Sequence, residues 1–529
     1  MASALATLPA YHLIANRDDV AKSQWDGAHH RKRFFGTLVV DGIVHDHIIF
    51  HNRGQGSAHI SGKNKWGLKF NRHQPLAAKR NDGVPYREPW DSLNLNPGLS
   101  TPYLPIHCGI GGLDEALSFR AYQLAGTPAA NTHWVQWRII SDPIEADPKN
   151  PFAGDVRGLY LAVQDMDGDW LKEQGLPDGN VYSTQSGRKH LGRGAVADQS
   201  DWNEFLNGVR QEHPEAWWRE HLDLPAFFGF QAMNRLLANV DLRPDGNHGY
   251  FHNPDGHWAP IPWDLDMMFV PRHHQPGIID AHRCLNVPTL RREYANRARE
   301  ILDLFCSDAT PDGGQIGQLI RELSGHIQPR GQHRNWTELD AVHWNFNPRK
   351  NGHNLYFRQQ AAADHFGGRW ERRLATADFA GFCRYLLDFT TDARPKKNYQ
   401  PNDGNPLGYG FGYLAHEARD NEIPDRPTLT ASDGRNFSAS AFHSPNNARF
   451  LAIEWRAAAI GFSKAPSDNV QSAHYELEKG WTLRETSPDR LKLTLPSNTC
   501  EPGLTYRVRV RFEDDAGRTS HWSAPQEIR

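Results

Sequence analysis

The stretch LLANVDLRPDGNHGYFHNPDGHWAPIPWDLD, residues 236–266, gathers carboxylates and an amide at spacings that suit hard-oxygen chemistry. Asp241 follows an apolar helical run, Asn247 stands six residues later, and a hairpin then delivers Asp264-Leu265-Asp266 after the apolar approach Ile261 to Trp263. Carboxylates and an amide brought together in this way make a site of the kind Mg²⁺ prefers. A further free Asp beside it could orient a hydroxyl nucleophile. Asp264 and Asp266 have equal parity, so on an extended chain both face the same way and need a cation or a basic partner. Asp245 and Asp255 sit in Asp-Gly turns and are expected to serve the turns.

A basic element lies upstream. In HNRGQGSAHISGKNKWGLKF, residues 51–70, Arg53 precedes a Gly-containing loop, and Lys63, Lys65 and Lys69 alternate with Trp66, Leu68 and Phe70. Period 2 sends the lysines to one face, where they either hold phosphates as point charges or form a solvated edge. Glu115 lies in the first turn of a helix read over Leu113 to Leu124 and suits either a lysine partner or the helix dipole. DMDGDW, residues 165–170, has the alternating Asp of a calcium loop, but its Gly is at the fourth position and no Glu follows at the twelfth, so no calcium site is expected. No Gly-x-Gly-x-x-Gly opens a helix after a strand, which argues against a Rossmann-type dinucleotide site.

The elements that must position these residues run in a definite order. Strands are expected at Phe34 to Val40 and Ile43 to Phe50, joined by an Asp41-Gly42 turn. The 113–124 helix comes next, then strands at 132–140 and 157–164, helices at 201–219 and 224–239, and the hairpin 248–266. A helical half follows, with helices at 287–305, 313–326 and 376–388. Residues 396–426 turn Gly/Pro/Asn-rich and read as a linker. Beyond them the pattern is all-β. In TYRVRVRF, Tyr506, Val508, Val510 and Phe512 alternate with Arg507, Arg509 and Arg511, as in a strand with one buried face.

The chain has 529 residues, enough for two to four domains. Its aromatic content of 11% excludes wholesale disorder, and its net charge of −3 disfavours a nucleic-acid binder. Five scattered Cys without a C-x-x-C pair give no zinc ribbon and no disulfide framework, with a single bridge left as an alternative. No apolar run is long enough for a transmembrane segment.

A strand lysine, a helix Glu, an Asp-x5-Asn loop and a later Asp after a hairpin repeat the layout of protein-kinase chemistry. With DEALSFRAYQLAGTPAANTHWVQW, RGLYLAVQDMDGDWLKEQGLPDGNVY, NVDLRPDGNHGY and IPWDLDMMF, the chain resembles the CotH kinase family over roughly residues 8–395. The resemblance implies an α+β fold, with a two-lobed atypical protein-kinase-like domain over 1–395. It implies transfer of the ATP γ-phosphate to Ser or Thr hydroxyls of an exported or envelope protein, with ATP and Mg²⁺ as cofactors. A signal peptide absent from this chain is part of that expectation. Asp241 would be the catalytic Asp. Asn247 and Asp264 would bind Mg²⁺, with Asp266 supporting. Lys63 would contact phosphates and pair with Glu115, Lys65 being the other candidate. Arg53 would lie under the nucleotide and Gln164 beside the adenine. AMP transfer and a catalytically inactive surface-binding role are the alternative functions. After the 396–426 linker, residues 427–529 resemble a fibronectin type III β-sandwich. Trp455, Tyr506 and GRTSHWSAP carry that likeness, and docking of a surface partner is its expected role.

Overall fold

The computed structural model describes residues 8–25, 32–54, 63–98, 111–143, 154–269, 277–306, 314–329, 335–344, 346–347, 352–353, 379–391, 410–464, 471–478 and 480–529. Helices and strands are mixed throughout, as an α+β chain requires. The first unit is a closed barrel of seven strands: β1 (Ala10–Ala15), β2 (Phe34–Val40), β3 (Ile43–Asn52), β4 (Trp66–Lys69), β5 (Ser92–Asn96), β6 (Thr132–Ile140) and β7 (Val156–Gln164). The order around it is β1-β2-β3-β4-β5-β7-β6, closed by parallel pairing of β6 with β1. The Asp41-Gly42 turn has positive φ at both residues, the two-residue hairpin geometry its sequence calls for.

Two barrel strands are buried on both sides, which explains why their sequences are apolar at both parities. On β7, Tyr160 and Ala162 fill the barrel while Leu159, Leu161 and Val163 join a second, larger core. On β6, Val135, Trp137 and Ile139 point inward while Trp134 points to that second core. Helix α1 (Arg17–Trp25) follows β1. Helix α2 (Leu113–Leu124) lies in the second core and buries Asp114 and Glu115 along with its apolar residues. It starts where Gly98, just past β5, lies against the backbone of Gly111 and Gly112. A Cβ on Gly98 would come within 2.5 Å of the Gly112 nitrogen, so only glycine permits this approach.

The other elements complete the frame: α3 (Gly168–Glu173), a four-stranded sheet ordered β11 (Trp258–Pro262), β10 (His248–His252), β8 (Asn180–Ser183), β9 (Gly187–His190), and helices α4 (Ser200–Val209), α5 (Glu215–His221) and α6 (Leu224–Leu237). One helix expected over 201–219 is two, because Pro214 cannot donate within a helix and instead stands at the start of α5. Helix α7 (Pro288–Ile301) runs into a π turn over Leu302–Cys306, and α8 (Gly314–Ile327), α9 (Trp336–His343) and α10 (Phe379–Thr391) follow. Cys284, Cys306 and Cys500 are free thiols; Cys108 lies outside the described residues. No helix among the described residues is long and apolar enough to cross a membrane.

Of the segment expected as a linker, residues 410–426 are described. They are packed: α11 (Phe411–Glu417) buries Tyr413 and Leu414, and Glu417 pairs with the buried Arg235 at 3.1 Å. Beyond it, two C-terminal sheets share one apolar cluster. Leu429, Phe437 and Leu493 come from one sheet, and Ile453, Trp455, Val508, Val510 and Phe512 from the other. The Arg face of the strand Thr505–Asp514, expected in solvent, is buried too. Arg507 and Arg509 are held by Glu476, which is fully buried, and Arg511 by Glu454 at 2.7 Å. That face lies against the helical part, where Arg511 also comes within 3.9 Å of Glu300 on α7.

Candidate active site

The two lysines expected to share one face go to different places. Lys63 Nζ is fully buried and donates to the carbonyls of Pro97 and Leu159, both at 2.7 Å, and to Asp340 Oδ2 on α9 at 2.8 Å. Asp340 also accepts from the Leu159 amide at 2.9 Å. The Lys63–Glu115 pair implied by resemblance is therefore replaced by a Lys63–Asp340 pair. The physical reason is that β4 begins only at Trp66, so strand alternation does not govern Lys63.

Lys65 is the cation of the site. Its Nζ donates to Asp264 Oδ1 at 2.8 Å and to Asp266 Oδ2 at 2.7 Å. Burial works against its charge, but Asp264, Asp266 and Glu115 outweigh that cost and hold its pKa above the ordinary value. The two carboxylates converge by a route other than strand alternation. Strand β11 ends at Pro262, and Asp264 adopts a left-handed conformation (φ 54, ψ 59) that turns the chain into a single 3-10 turn carrying Asp266. For a non-glycine residue this backbone is uncommon and needs surrounding contacts to hold it.

Glu115 is brought in by α2. Burial raises its carboxyl pKa to about 8; Lys65 opposes the shift, while Asp266, Asp264 and Asp114 reinforce it. Its Oε1 accepts from Asn96 at the end of β5, and Asn96 Oδ1 accepts from Arg53 Nη1 at 3.2 Å. The Arg53 guanidinium lies 5.6 Å from the Trp263 ring centroid. Asn96 and Trp263 were not singled out in the sequence, although the polar alternation of SLNLN (Ser92, Asn94, Asn96) is a signal that could have found the first.

Asp241 and Asn247 form the adjoining pair. Asn247, also left-handed (φ 62), donates through Nδ2 to the Asp241 carboxylate at 2.7 Å and to its backbone carbonyl at 2.8 Å. Gln185 donates to Asn247 Oδ1 at 2.9 Å. Burial lifts the Asp241 carboxyl above its ordinary value against Arg243 and the Asn247 hydrogen bond. Asp264 is likewise opposed by burial, yet Lys65 and Arg53 hold it below the ordinary range.

Arg53, Trp263 and Gln185 line a cleft of about 1110 Å³ between the barrel and the four-stranded sheet; its far end carries Asp165, Asp167 and Lys189. There Asp167 caps α3, accepting from the Asp169 and Trp170 amides at 3.1 Å, so DMDGDW serves a helix start. Gln164 is buried on β7 with its Oε1 accepting from Asn131 at 3.1 Å, and it is not among the residues lining this cleft. Among the described residues no three or more His, Cys, Asp or Glu side chains converge as a metal cage.

Residues 112–310 match the family model described as CotH kinase protein. Over this stretch the chain is similar to the CotH kinase family. The CotH match spans Glu115, Asp241, Asn247, Asp264 and Asp266, and leaves out Arg53 and Lys65, which stand just past β3 and just ahead of β4. The family description points to a kinase-like, phosphotransferase function. None of the curated proteins compared is similar to the chain. Among solved structures, one titled "Myokine structure" covers 20% of this chain and 95% of its own, at 11% identity and a TM-score of 0.13, too slight a likeness to bear on fold or function.

Proposed function

We propose that the chain is an atypical protein kinase that transfers the ATP γ-phosphate to Ser or Thr hydroxyls of a protein substrate. One observation carries this reading: Lys65, clamped by Asp264 and Asp266, stands with Glu115 and with the Asp241–Asn247 pair behind Arg53, Trp263 and Gln185, which line the open cleft. Phosphoryl transfer asks for little beyond positioning and charge neutralisation, and this set supplies both. Lys65 contacts the phosphates, and Asp266 keeps it placed and charged. Asp241 accepts the hydroxyl proton as the acceptor oxygen bonds to the γ-phosphorus and the bond to the bridging oxygen breaks, releasing ADP. The donor set fits Mg²⁺, because an amide oxygen (Asn247), one carboxylate (Asp264), phosphate oxygens and water suffice for that ion without an all-protein cage. When bound, the ion neutralises charge on the transferring phosphates.

The test is transfer of label from γ-labelled ATP, to a protein acceptor or to the chain itself. Asp241→Ala and Asp264→Ala should abolish transfer while leaving the fold intact. Absence of transfer by the wild type with every divalent metal tried, under conditions where ATP binds, sinks the reading. The two-lobed arrangement, export to the envelope and a fibronectin type III-like binding or spacing module over 427–529 belong to the same proposal. The sequence resemblance supports them, together with the paired sheets of the C-terminal part.

A further inference from the structure

Three strands of the barrel present a polar row to the cleft. In register, His51 on β3 lies opposite Gly67 on β4, and Gly67 lies opposite Asn94 on β5. Directly opposed residues of neighbouring strands share a face. All three residues line the cleft. The middle position is glycine, and a Cβ there would come within 2.5 Å of His51 Cε1 and 2.8 Å of its Nε2 unless the ring moved, so the imidazole lies over Gly67.

Two polar atoms in this row find no hydrogen-bond partner among the described residues. One is Nδ2 of Asn94, a residue only 7% exposed, and the other is Nδ1 of His51. An unmet buried amide donor costs about 1–3 kcal/mol, which a folded protein usually accepts only for a reason. His51 is neutral near pH 7, because burial, Arg53 and Arg33 push its pKa down to about 4.

The row has a fixed place relative to the phosphate-handling residues. Asn96, which bonds Glu115, lies two residues along β5 from Asn94 on the same parity, and Lys65, which bonds Asp264, lies two residues before Gly67, just ahead of β4. Two strand residues span roughly 7 Å. On the other side of the row Ser92 lies beside Asp165 and Asp167 at the far end of the cleft. Phosphates at the Lys65 end therefore leave the row over the next portion of a nucleotide.

We propose that the His51–Gly67–Asn94 row is the seat of the nucleotide's base, with the Asn94 amide donating to a ring nitrogen or carbonyl of a planar heterocycle and so setting base preference. The inference rests on the nucleotide reading of the cleft and adds to it residues that discriminate.

The experiment measures binding of ATP and of inorganic tripolyphosphate, each with Mg²⁺, by calorimetry on the full chain. Asn94→Leu, which removes the donor at similar volume, should weaken ATP about tenfold and leave tripolyphosphate within about twofold. Asn94→Asp keeps the shape without the donor and should do the same, which covers the case in which the leucine variant folds poorly. Gly67→Ala, which drives the His51 ring out of place, should also weaken ATP selectively. ATP affinity unchanged in both Asn94 variants, or an equal loss for tripolyphosphate, overturns the base seat while leaving the cleft a phosphate site. Failure of the wild type to bind either ligand overturns the nucleotide reading itself, and the base seat with it.

Discussion

At the residue scale, the two lysines of Lys63-Asn64-Lys65 separate stability from chemistry. Lys63 and Asp340 are both essentially fully buried, 2.8 Å apart, so removing one strands the other in a medium that cannot solvate it. Lys63→Met is expected to cost about 3–5 kcal/mol in urea unfolding, and the double variant Lys63→Met/Asp340→Leu to recover most of that loss. Lys65 has partners that remain partly open, 29% and 10% exposed. Lys65→Met should therefore cost less stability but eliminate phosphoryl transfer, whereas the Lys63/Asp340 double variant retains transfer per folded molecule. If the transfer losses fall the other way round, Lys65 is not the phosphate-contacting residue.

Glu115 predicts a pH signature. Its folded pKa of about 8 lies above the unfolded value, so the folded state holds the proton more tightly. The associated stability is fully present below the unfolded pKa near 4.3 and is lost as pH rises toward about 8. Glu115→Gln cannot ionise, so its melting temperature relative to wild type should climb between pH 5 and pH 8 and then level off. A difference that stays flat across that range contradicts the buried, proton-holding Glu115 described above.

At the element scale, helix α9 acts as a plug beneath β7. Gly158 has φ 97, and a Cβ there would sit 2.2 Å from Asp340 Oδ1. Gly158→Ala thus strains the backbone and pushes away the carboxylate that holds Lys63 and the Leu159 amide. The expected loss is about 2–4 kcal/mol by chemical denaturation, with nucleotide affinity per folded molecule little changed. The left-handed residues Asn247 and Asp264 are local devices of the other kind, since they aim side chains at the site. The sequence showed the Asp-x5-Asn spacing and the Asp264/Asp266 pair, but not these backbone turns. Strand alternation led to the right convergence for Asp264 and Asp266 through geometry that is not a strand.

At the scale of the whole molecule, the C-terminal part is joined to the helical core by buried groups. Asp303, in the π turn after α7, accepts from the Trp522 amide at 2.8 Å and pairs with His521. Arg120 on α2, one turn beyond Glu115, pairs with Glu478 at 2.6 Å, and Tyr475, Leu477 and Trp522 sit in the same apolar core as α2 and α6. Removing residues 427–529 would leave Asp303 without these partners and expose that core. The truncated chain is expected to aggregate or to melt without a sharp transition, as followed by light scattering and calorimetry. A soluble, cooperatively melting truncation would show instead that residues 427–529 are a separable module.

The sequence alone determined the strands β2, β3, β6 and β7, the helix α2 and the mixed architecture, and it pointed to the Asp241/Asn247 and Asp264/Asp266 pairs. Those features follow from local periodicity, turn chemistry and short-range spacing, which need no partner from far along the chain. Only the tertiary structure decided which lysine meets the carboxylates, that Asn96 and Arg53 join Glu115, and that the arginines of the Thr505–Asp514 strand are buried. Each of these depends on a contact across tens to hundreds of residues, from Asn96–Glu115 at 19 to Lys63–Asp340 at 277. Whether a polar side chain faces water or a distant partner is set by how the elements pack, and alternation along one strand carries no record of that.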